Sequence, residues 1–321
     1  MSVAIRAEGL VKRFGKTTAL AGIYLSVPHG KVAGVLGPNG AGKTTAVRIL
    51  ATLSRPDAGQ AFVCGHDVRR APGRVRELIG LTGQYASVDD DLTGTQNLVL
   101  VGRLLGMSGA TARARAGELL ERFELEPAAG RVARTYSGGL RRRLDLAASL
   151  VGRPRVLFLD EPTTGLDPHA RNEVWRMVRG LAAEGTTVLL TTQYLEEADR
   201  LTDQLTVIDH GRVVAAGHAD DLKRRVGGQS LQVRPTQLAD LSTVAGILAG
   251  ITGSPPAEDP GTGVLTAPVA DPMQLSTLVR MLDRAGITVA EIALRLPSLD
   301  EVFLALTGKP AGVPAREESP A

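Results

Sequence analysis

The chain of 321 residues is long enough for a large α/β domain and a smaller one, and its formal net charge of only +3 makes no strong electrostatic case for nucleic acid. Aromatics make up 3% of the residues, which leaves few platforms for stacking bases. The single cysteine, Cys64, excludes an internal disulfide and fits a reducing compartment, and the five histidines show no paired metal-ligand spacing. No apolar run approaches the roughly 20 residues that span a bilayer, and no signal-peptide core opens the chain, so attachment to a membrane is expected only through a partner.

Residues 3–7 and 23–27 read as short strands. Residues 32–36 then predict a buried strand running into Gly37-Pro38-Asn39-Gly40-Ala41-Gly42-Lys43-Thr44-Thr45, with an amphipathic helix over 43–53 behind it. Strand, glycine-rich loop and helix in this order predict a polyphosphate site. The glycines let successive N–H groups turn inward around phosphate oxygens, at a helix N-terminus whose dipole favours an anion. Lys43 would reach the β- and γ-phosphates and the Thr44 hydroxyl would ligate Mg²⁺. A dinucleotide-binding G-x-G-x-x-G loop would lack this Lys-Thr pair.

Helical patterning takes over between residues 89 and 134, at 96–105 and 110–123, so a helical insert is expected to separate two α/β parts. Tyr136-Ser137-Gly138-Gly139-Leu140 then precedes a helix with apolar positions at Leu140, Leu144, Ala147 and Val151. Ser137, Gly138 and Gly139 at that N-terminus form a second anion site, although an isolated Ser-Gly-Gly turn is an ordinary helix cap. The run Arg141-Arg142-Arg143 reads as a solvated helix face tempered by Asp145.

Residues 156–159 form an apolar strand ending in Asp160 and Glu161. A strand followed by two acids is common, and it is the phosphate loop that gives this one meaning. Asp160 would hold Mg²⁺ through water, while Glu161 would polarise the water that attacks the γ-phosphate. Strand and helix then alternate (helix 170–183, strand 187–191, helix 195–201, strand 205–209). Trp175, with Val174, Met177 and Val178, predicts a helix face packed on the sheet, and Asp209-His210-Gly211-Arg212 has hairpin-turn composition. A Gly227-Gly228 pair marks the expected boundary between a first domain, 1–226, and a second, 229–309, read as alternating strands and helices. The last helix opens on the capping box Ser298-Leu299-Asp300-Glu301, and the Pro/Glu/Ala-rich tail 310–321 is expected to be disordered.

In this order, the motifs resemble those of ATP-binding-cassette ATPases over roughly residues 1–225. The resemblance implies an α/β fold: a P-loop, RecA-like core with an antiparallel β part and a helical subdomain at about 89–150, followed by a small C-terminal α/β domain. It also implies roles. Phe14, in Arg13-Phe14-Gly15, would stack on adenine; Gln84 would join Mg²⁺ and the attacking water to a membrane partner. Ser137, Gly138 and Gly139 would grip the γ-phosphate held by the opposite subunit, and Asp167, in Gly165-Leu166-Asp167, lies in the loop by which each subunit reads the other's site. Two positions depart from the pattern: Leu140 stands where many members have Gln, and Gln193 stands at the usual switch histidine. Gln donates a hydrogen bond but carries no proton at neutral pH, so proton acceptance falls to Glu161 and positioning to Gln193.

The stretches Tyr136-Ser-Gly-Gly-Leu-Arg-Arg-Arg-Leu-Asp-Leu-Ala, Thr-Thr-Gln193-Tyr-Leu-Glu-Glu-Ala-Asp and Pro297-Ser-Leu-Asp-Glu-Val-Phe-Leu-Ala-Leu-Thr-Gly308 extend the likeness over nearly the whole chain. They look like the daunorubicin/doxorubicin-resistance ATP-binding subunits of multidrug exporters. That likeness implies ATP and Mg²⁺ as cofactors, a homodimer, and a separate multi-span permease at the cytoplasmic side of the cell membrane, with no nucleic-acid partner. A soluble cassette acting on nucleic acid or the ribosome is the alternative, though such proteins usually join two cassettes in one chain. A non-catalytic ATP-binding module is a second alternative, which Glu161 argues against. The C-terminal domain is open between dimer stabilisation and regulation.

Overall fold

In the computed structural model, which describes residues 3–83, 88–226 and 228–307, the chain divides into two units, with the division at Ala219/Asp220. The first contains β1 (Val3–Phe14), β2 (Thr17–Pro28), β3 (Val32–Leu36), α1 (Lys43–Leu50), β4 (Ala58–Val63), β5 (His66–Asp67), α2 (Pro72–Leu78) and β6 (Ile79–Thr82). The helices α3 (Gly94–Leu104), α4 (Gly109–Arg122) and α5 (Gly138–Ser149) follow, then β7 (Val156–Asp160), α6 (Pro168–Ala183), β8 (Thr187–Thr192), α7 (Leu195–Leu201), β9 (Gln204–Asp209) and β10 (Arg212–Gly217).

β3, β7 and β8 are buried along their whole length, as continuous apolar strands at the middle of a parallel sheet must be. The six-stranded sheet runs β10-β9-β3-β8-β7-β6, parallel throughout except for the edge strand β10. Its two faces are legible in alternation. Val156, Phe158 and Leu189 belong to a core shared with α1 and the second, antiparallel sheet β2-β1-β4-β5, while Leu157, Leu159, Val188 and Leu190 face a core built from the helices α3 to α6. Burying each such side chain contributes about 1.5–3 kcal/mol.

Three elements differ from the sequence reading for identifiable reasons. β1 and β2 run on to a tight turn at Phe14/Thr17 rather than stopping at residue 7 and starting at residue 23. Register shifts between Ala7 and Val11, with Gly9 at φ +60°, break the period-2 alternation that ends the prediction. α1 ends at Leu50 instead of residue 53, because Thr52 turns left-handed at φ +65° and Leu53 N–H closes back onto Arg48 O at 2.8 Å. The segment holding β4, β5, α2 and β6 carries no clear period: in β4 only Ala61 and Val63 are buried.

The second unit comprises α8 (Ala219–Val226), which begins at the division, then β11 (Gln229–Pro235), α9 (Leu241–Thr252), β12 (Ala257–Asp259), β13 (Val264–Val269), α10 (Gln274–Arg284), β14 (Val289–Arg295) and α11 (Leu299–Thr307). Its sheet is antiparallel in the order β12-β13-β11-β14. The β-α-β-β-α-β sequence with that order is the ferredoxin-like split βαβ arrangement. Alternate residues Leu231, Val233, Leu265 and Ala267 pack on Val244 and Leu248 of α9 and Leu278 and Leu282 of α10. The short strand β12 has no counterpart in the sequence reading. α11 carries its capping box: Ser298 N–H donates to Glu301 Oε2 at 3.1 Å and Glu301 N–H to Ser298 Oγ at 3.2 Å.

Candidate active site

β3 lies between β9 and β8, and the loop that leaves it turns at the carboxyl ends of these strands, where open α/β sheets form their binding crevice. Two glycines there cannot carry a side chain. A Cβ at Gly37 would lie 2.2 Å from Ile208 O, and Gly42, at φ +107°, would place one 2.4 Å from Ala19 O. Gly42 also caps α1 without a side-chain bond, so the first amides of the helix keep no capping oxygen and suit an anion. The β9–β10 hairpin braces the loop from behind: Gly211 N–H donates to Ala41 O at 3.0 Å, and Ala21 N–H donates to Gly211 O at 2.8 Å. Asn39 and Gly40 are exposed at the loop tip, Pro38 and Thr45 are half-buried, and Ala41 is buried.

Lys43 is 4% exposed, with Nζ donating to Gly37 O at 2.8 Å and Pro38 O at 3.1 Å, and lying 3.3 Å from Glu161 Oε1. Burial pulls the ammonium below its ordinary range, opposed by the charges of Glu161 and Asp160. Thr44 Oγ1 donates to Asp160 Oδ1 at 3.1 Å, and Thr191 Oγ1 donates to the same oxygen. Glu161 follows β7 at φ +50°, a left-handed geometry that a non-glycine residue holds only when its surroundings impose it. Its N–H donates to Thr191 O and Thr191 Oγ1, each at 3.1 Å, and its Oε2 accepts from Thr164 Oγ1 at 3.3 Å. A lysine, a hydroxyl and two carboxylates from α1 and β7 thus converge on one point beside the loop.

Thr44 and Asp160 present hard oxygen donors, and Mg²⁺ characteristically takes one or two protein oxygens and completes its shell with water and substrate phosphate. The donor set therefore fits that ion. Among the described residues no cluster of three or more His, Cys, Asp or Glu side chains suits a metal held by protein alone.

The other predicted residues occupy separate places. Ser137 caps α5, its Oγ accepting from Leu140 N–H at 3.4 Å, with Ser137 and Gly138 exposed. Gly139 approaches α6 closely, since a Cβ there would lie 3.1 Å from Ala170 Cβ. Asp167 caps α6, its Oδ1 accepting from His169 N–H at 2.9 Å and Ala170 N–H at 3.0 Å, bonds that hold its carboxyl below the usual range. Phe14 ends β1 and is 55% exposed, with Lys12 Nζ 5.4 Å from its ring centroid. Gln193 is half-buried and directly follows β8, one strand from Glu161. Gln84 lies outside the described residues.

The arginine run does not form a solvated face. Arg141 is half-exposed and pairs with Asp90 at 2.6 Å, but the side chains of Arg142 and Arg143 are only 12% and 16% exposed. Consecutive helical residues point about 100° apart, so three in a row cannot share one face. Arg142 reaches Pro162 O (2.6 Å), Asp145 Oδ2 (3.1 Å) and Gly83 O (3.3 Å), while Arg143 turns towards Glu124 and Glu173. The available signal was Asp145, an acid in an otherwise apolar run, three residues after Arg142. Glu197 was also missed: fully buried in α7, it accepts from Thr163 Oγ1 at 2.8 Å and from Trp175 Nε1 at 3.1 Å. Trp175 packs in the sheet–helix core as its neighbours predict, and its polar edge has this further use.

Residues 20–164 match the ABC transporter family. Over 306 residues the chain is 55% identical to a daunorubicin resistance ATP-binding protein of Streptomyces coeruleorubidus, covering 95% of each chain. It is 52% identical to a daunorubicin/doxorubicin resistance ATP-binding protein of Streptomyces peucetius, covering 98% of this chain and 96% of the relative. It is 41% identical to a Nod factor export ATP-binding protein of Ralstonia nicotianae, covering 95% and 94%. Among solved structures it resembles a subunit of a Clostridium perfringens ABC transporter complex, with a TM-score of 0.64 and 26% identity, covering 70% of this chain and 95% of that one.

Proposed function

Because the chain belongs to the family of ABC transporter ATP-binding proteins, we propose that it is the ATP-hydrolysing subunit of a multidrug exporter, working as a homodimer bound to a separate multi-span permease. The convergence of Lys43, Thr44, Asp160 and Glu161 on the phosphate loop is the observation that carries the catalytic part of this reading. Near-complete coverage by drug-resistance relatives supports the export part.

Lys43 is held by two loop carbonyls and Glu161. Polyphosphate replaces these acceptors, the loop amides and Lys43 embrace its oxygens, and Glu161 is released to accept a proton from the attacking water. Gln193, beyond β8, orients that water by hydrogen bonding. Phe14 offers its exposed ring to the adenine. Thr44 and Asp160 would hold Mg²⁺, which would supply charge neutralisation at the phosphates, and Gln84 is assigned to the same ion from the family pattern.

One chain carries one phosphate loop and one Ser137-Gly138-Gly139 cap, and the hydrogen bonds of Ser137 run to its own helix, from Leu140 N–H and Arg141 N–H. From the family pattern the cap is assigned to the γ-phosphate held by a second copy, with Asp167 in the neighbouring loop. Loss of one such preorganised donor typically costs ~3 kcal/mol of transition-state stabilisation. Among the described residues no helix is long and apolar enough to cross a membrane, which suits attachment through the permease at its cytoplasmic face.

The test is MgATP hydrolysis by the purified full chain. Glu161→Gln nearly abolishes turnover, Gln193→Ala slows it while leaving ATP binding intact, and turnover rises faster than linearly with protein concentration. Equal small effects of the two substitutions, or strict linearity through the dimerisation range, would sink the reading. Co-expression with a multi-span permease partner then lowers drug accumulation in cells; co-sedimentation with ribosomes or DNA instead would transfer the protein to the soluble class.

A further inference from the structure

We propose that Arg142 and Glu197 are positioning residues for Glu161: from two sides they fix the Pro162-Thr163 segment that follows it, and so tie the helix begun by Ser137 to the catalytic carboxylate of the same chain. The inference rests on the role given to Glu161 above.

Glu161 stands in a left-handed conformation and directly precedes a proline, so its local preferences do not keep it there. On its N-terminal side both Thr191 oxygens hold its amide. On its C-terminal side Arg142 Nε donates to Pro162 O at 2.6 Å, and Glu197 Oε1 receives the Thr163 hydroxyl at 2.8 Å while Trp175 Nε1 pins that oxygen at 3.1 Å. The same guanidinium bonds Gly83 O, at the end of β6 and next to Gln84, and is neutralised by Asp145. One side chain on α5 therefore grips the ends of two adjacent strands, β6 and β7, on the side of the sheet where the chemistry is placed.

Stability alone does not account for this arrangement. Burial depresses the pKa of Arg142 and raises that of Glu197, against the opposing pull of their partners, so both charges remain costly where they sit. Buried charge networks of this kind are often no more stabilising than apolar side chains of the same volume. What an apolar replacement could not supply is the directed bond to the Pro162 carbonyl and the fixed acceptor for Thr163.

The experiment uses the full chain and two pairs of variants. Glu197→Gln keeps the Oε1 acceptor and retains wild-type kcat, whereas Glu197→Ala loses about 10- to 100-fold in kcat, the scale of a displaced catalytic group, with KM for ATP unchanged. Arg142→Met/Asp145→Leu removes both charges together, so that neither is left buried alone, and shows the same loss; Arg142→Lys, with one ammonium for three acceptors, falls between. In single-turnover measurements neither Glu197→Ala nor the double variant slows a chain that already carries Glu161→Gln, because both act through that carboxylate. Unchanged kcat, additive losses in the Glu161→Gln background, or a loss shared between KM and kcat that Glu197→Gln fails to rescue would each overturn the inference. Substantial turnover by Glu161→Gln itself would remove its premise; full loss there, with the other variants at wild-type rates, would overturn the positioning role alone.

Discussion

Lys43, the lysine assigned to the incoming phosphate, is engaged with Glu161, and ATP must compete for it. Replacing Glu161 by Gln should therefore tighten nucleotide binding even as it stops hydrolysis. At 3.3 Å the gross attraction between the two charges is about 5 kcal/mol at an effective dielectric constant of 20. Desolvation offsets much of this, and a hydrogen bond to a charged group contributes about 1.5–3 kcal/mol net, so Kd for a non-hydrolysable ATP analogue should fall by about 10- to 150-fold. The same free energy is withdrawn from the empty protein. At roughly 2–4 °C per kcal/mol for a unit of this size, its Tm should drop by about 3–12 °C. Equilibrium titration at dilutions where gel filtration shows only monomer keeps dimer closure out of the measurement. A Glu161→Gln protein that binds the analogue no more tightly than wild type would refute the competition, as would a tightening with no fall in the Tm of the empty protein.

Three further outcomes follow from the same geometry. Burial holds Lys43 below the usual lysine range while phosphate favours its charged form, so binding takes up a proton once the pH passes the free-protein value. Affinity should then fall with rising alkaline pH by up to about tenfold per unit, detectable by calorimetry in buffers of different ionisation enthalpy; a flat Kd would exclude this. Glu197 has its pKa raised, chiefly by burial, so between its unfolded and folded values the folded state holds the extra proton and stability declines as pH rises. Glu197→Gln should flatten that decline in urea midpoints measured across the pH series, and an unchanged slope would contradict it. Gly40→Ala meets open space and should cost only the left-handed backbone penalty of about 1–2 kcal/mol, whereas Gly42→Ala also drives a methyl to within 2.4 Å of Ala19 O, which adds about 1–3 kcal/mol. Denaturant midpoints should separate the two, and equal losses would count against the clash.

The parts of the molecule legible in the sequence are those whose chemistry is local. The phosphate loop declares itself because strand, glycines, Lys43 and Thr44 are contiguous, and the carboxylate strand because an unbroken apolar run ends in Asp160 and Glu161. Arg142 and Glu197 are less legible for the opposite reason: Asp145 signals that Arg142 is drawn inward, but nothing in either residue's neighbourhood says that one will meet Pro162 and the other Thr163. The same holds for Thr191, an ordinary strand residue until β8 lies beside β7 and delivers its hydroxyl to Asp160. In the fold, period-2 reasoning stops where bulges interrupt β1, and helical periodicity overruns α1 because Leu53 keeps the pattern after the backbone has left it. The split βαβ order of the second unit is a matter of long-range pairing, which alternation of strands and helices leaves undetermined.

The order of strands also sets a timetable for synthesis. β3, which aims the phosphate loop, has only β8 and β9 as neighbours: Val32 pairs with Val188, and Leu36 with Val207. The brace behind the loop, Gly211, comes later still. A nascent chain therefore carries the complete nucleotide-binding motif with β3 bare on both edges until β8 has been made, and with the loop unbraced until Gly211 has. Competence to bind arrives only when the chain has passed the β9–β10 hairpin, and until then the most apolar strands of the protein depend on slow, long-range closure or on a chaperone.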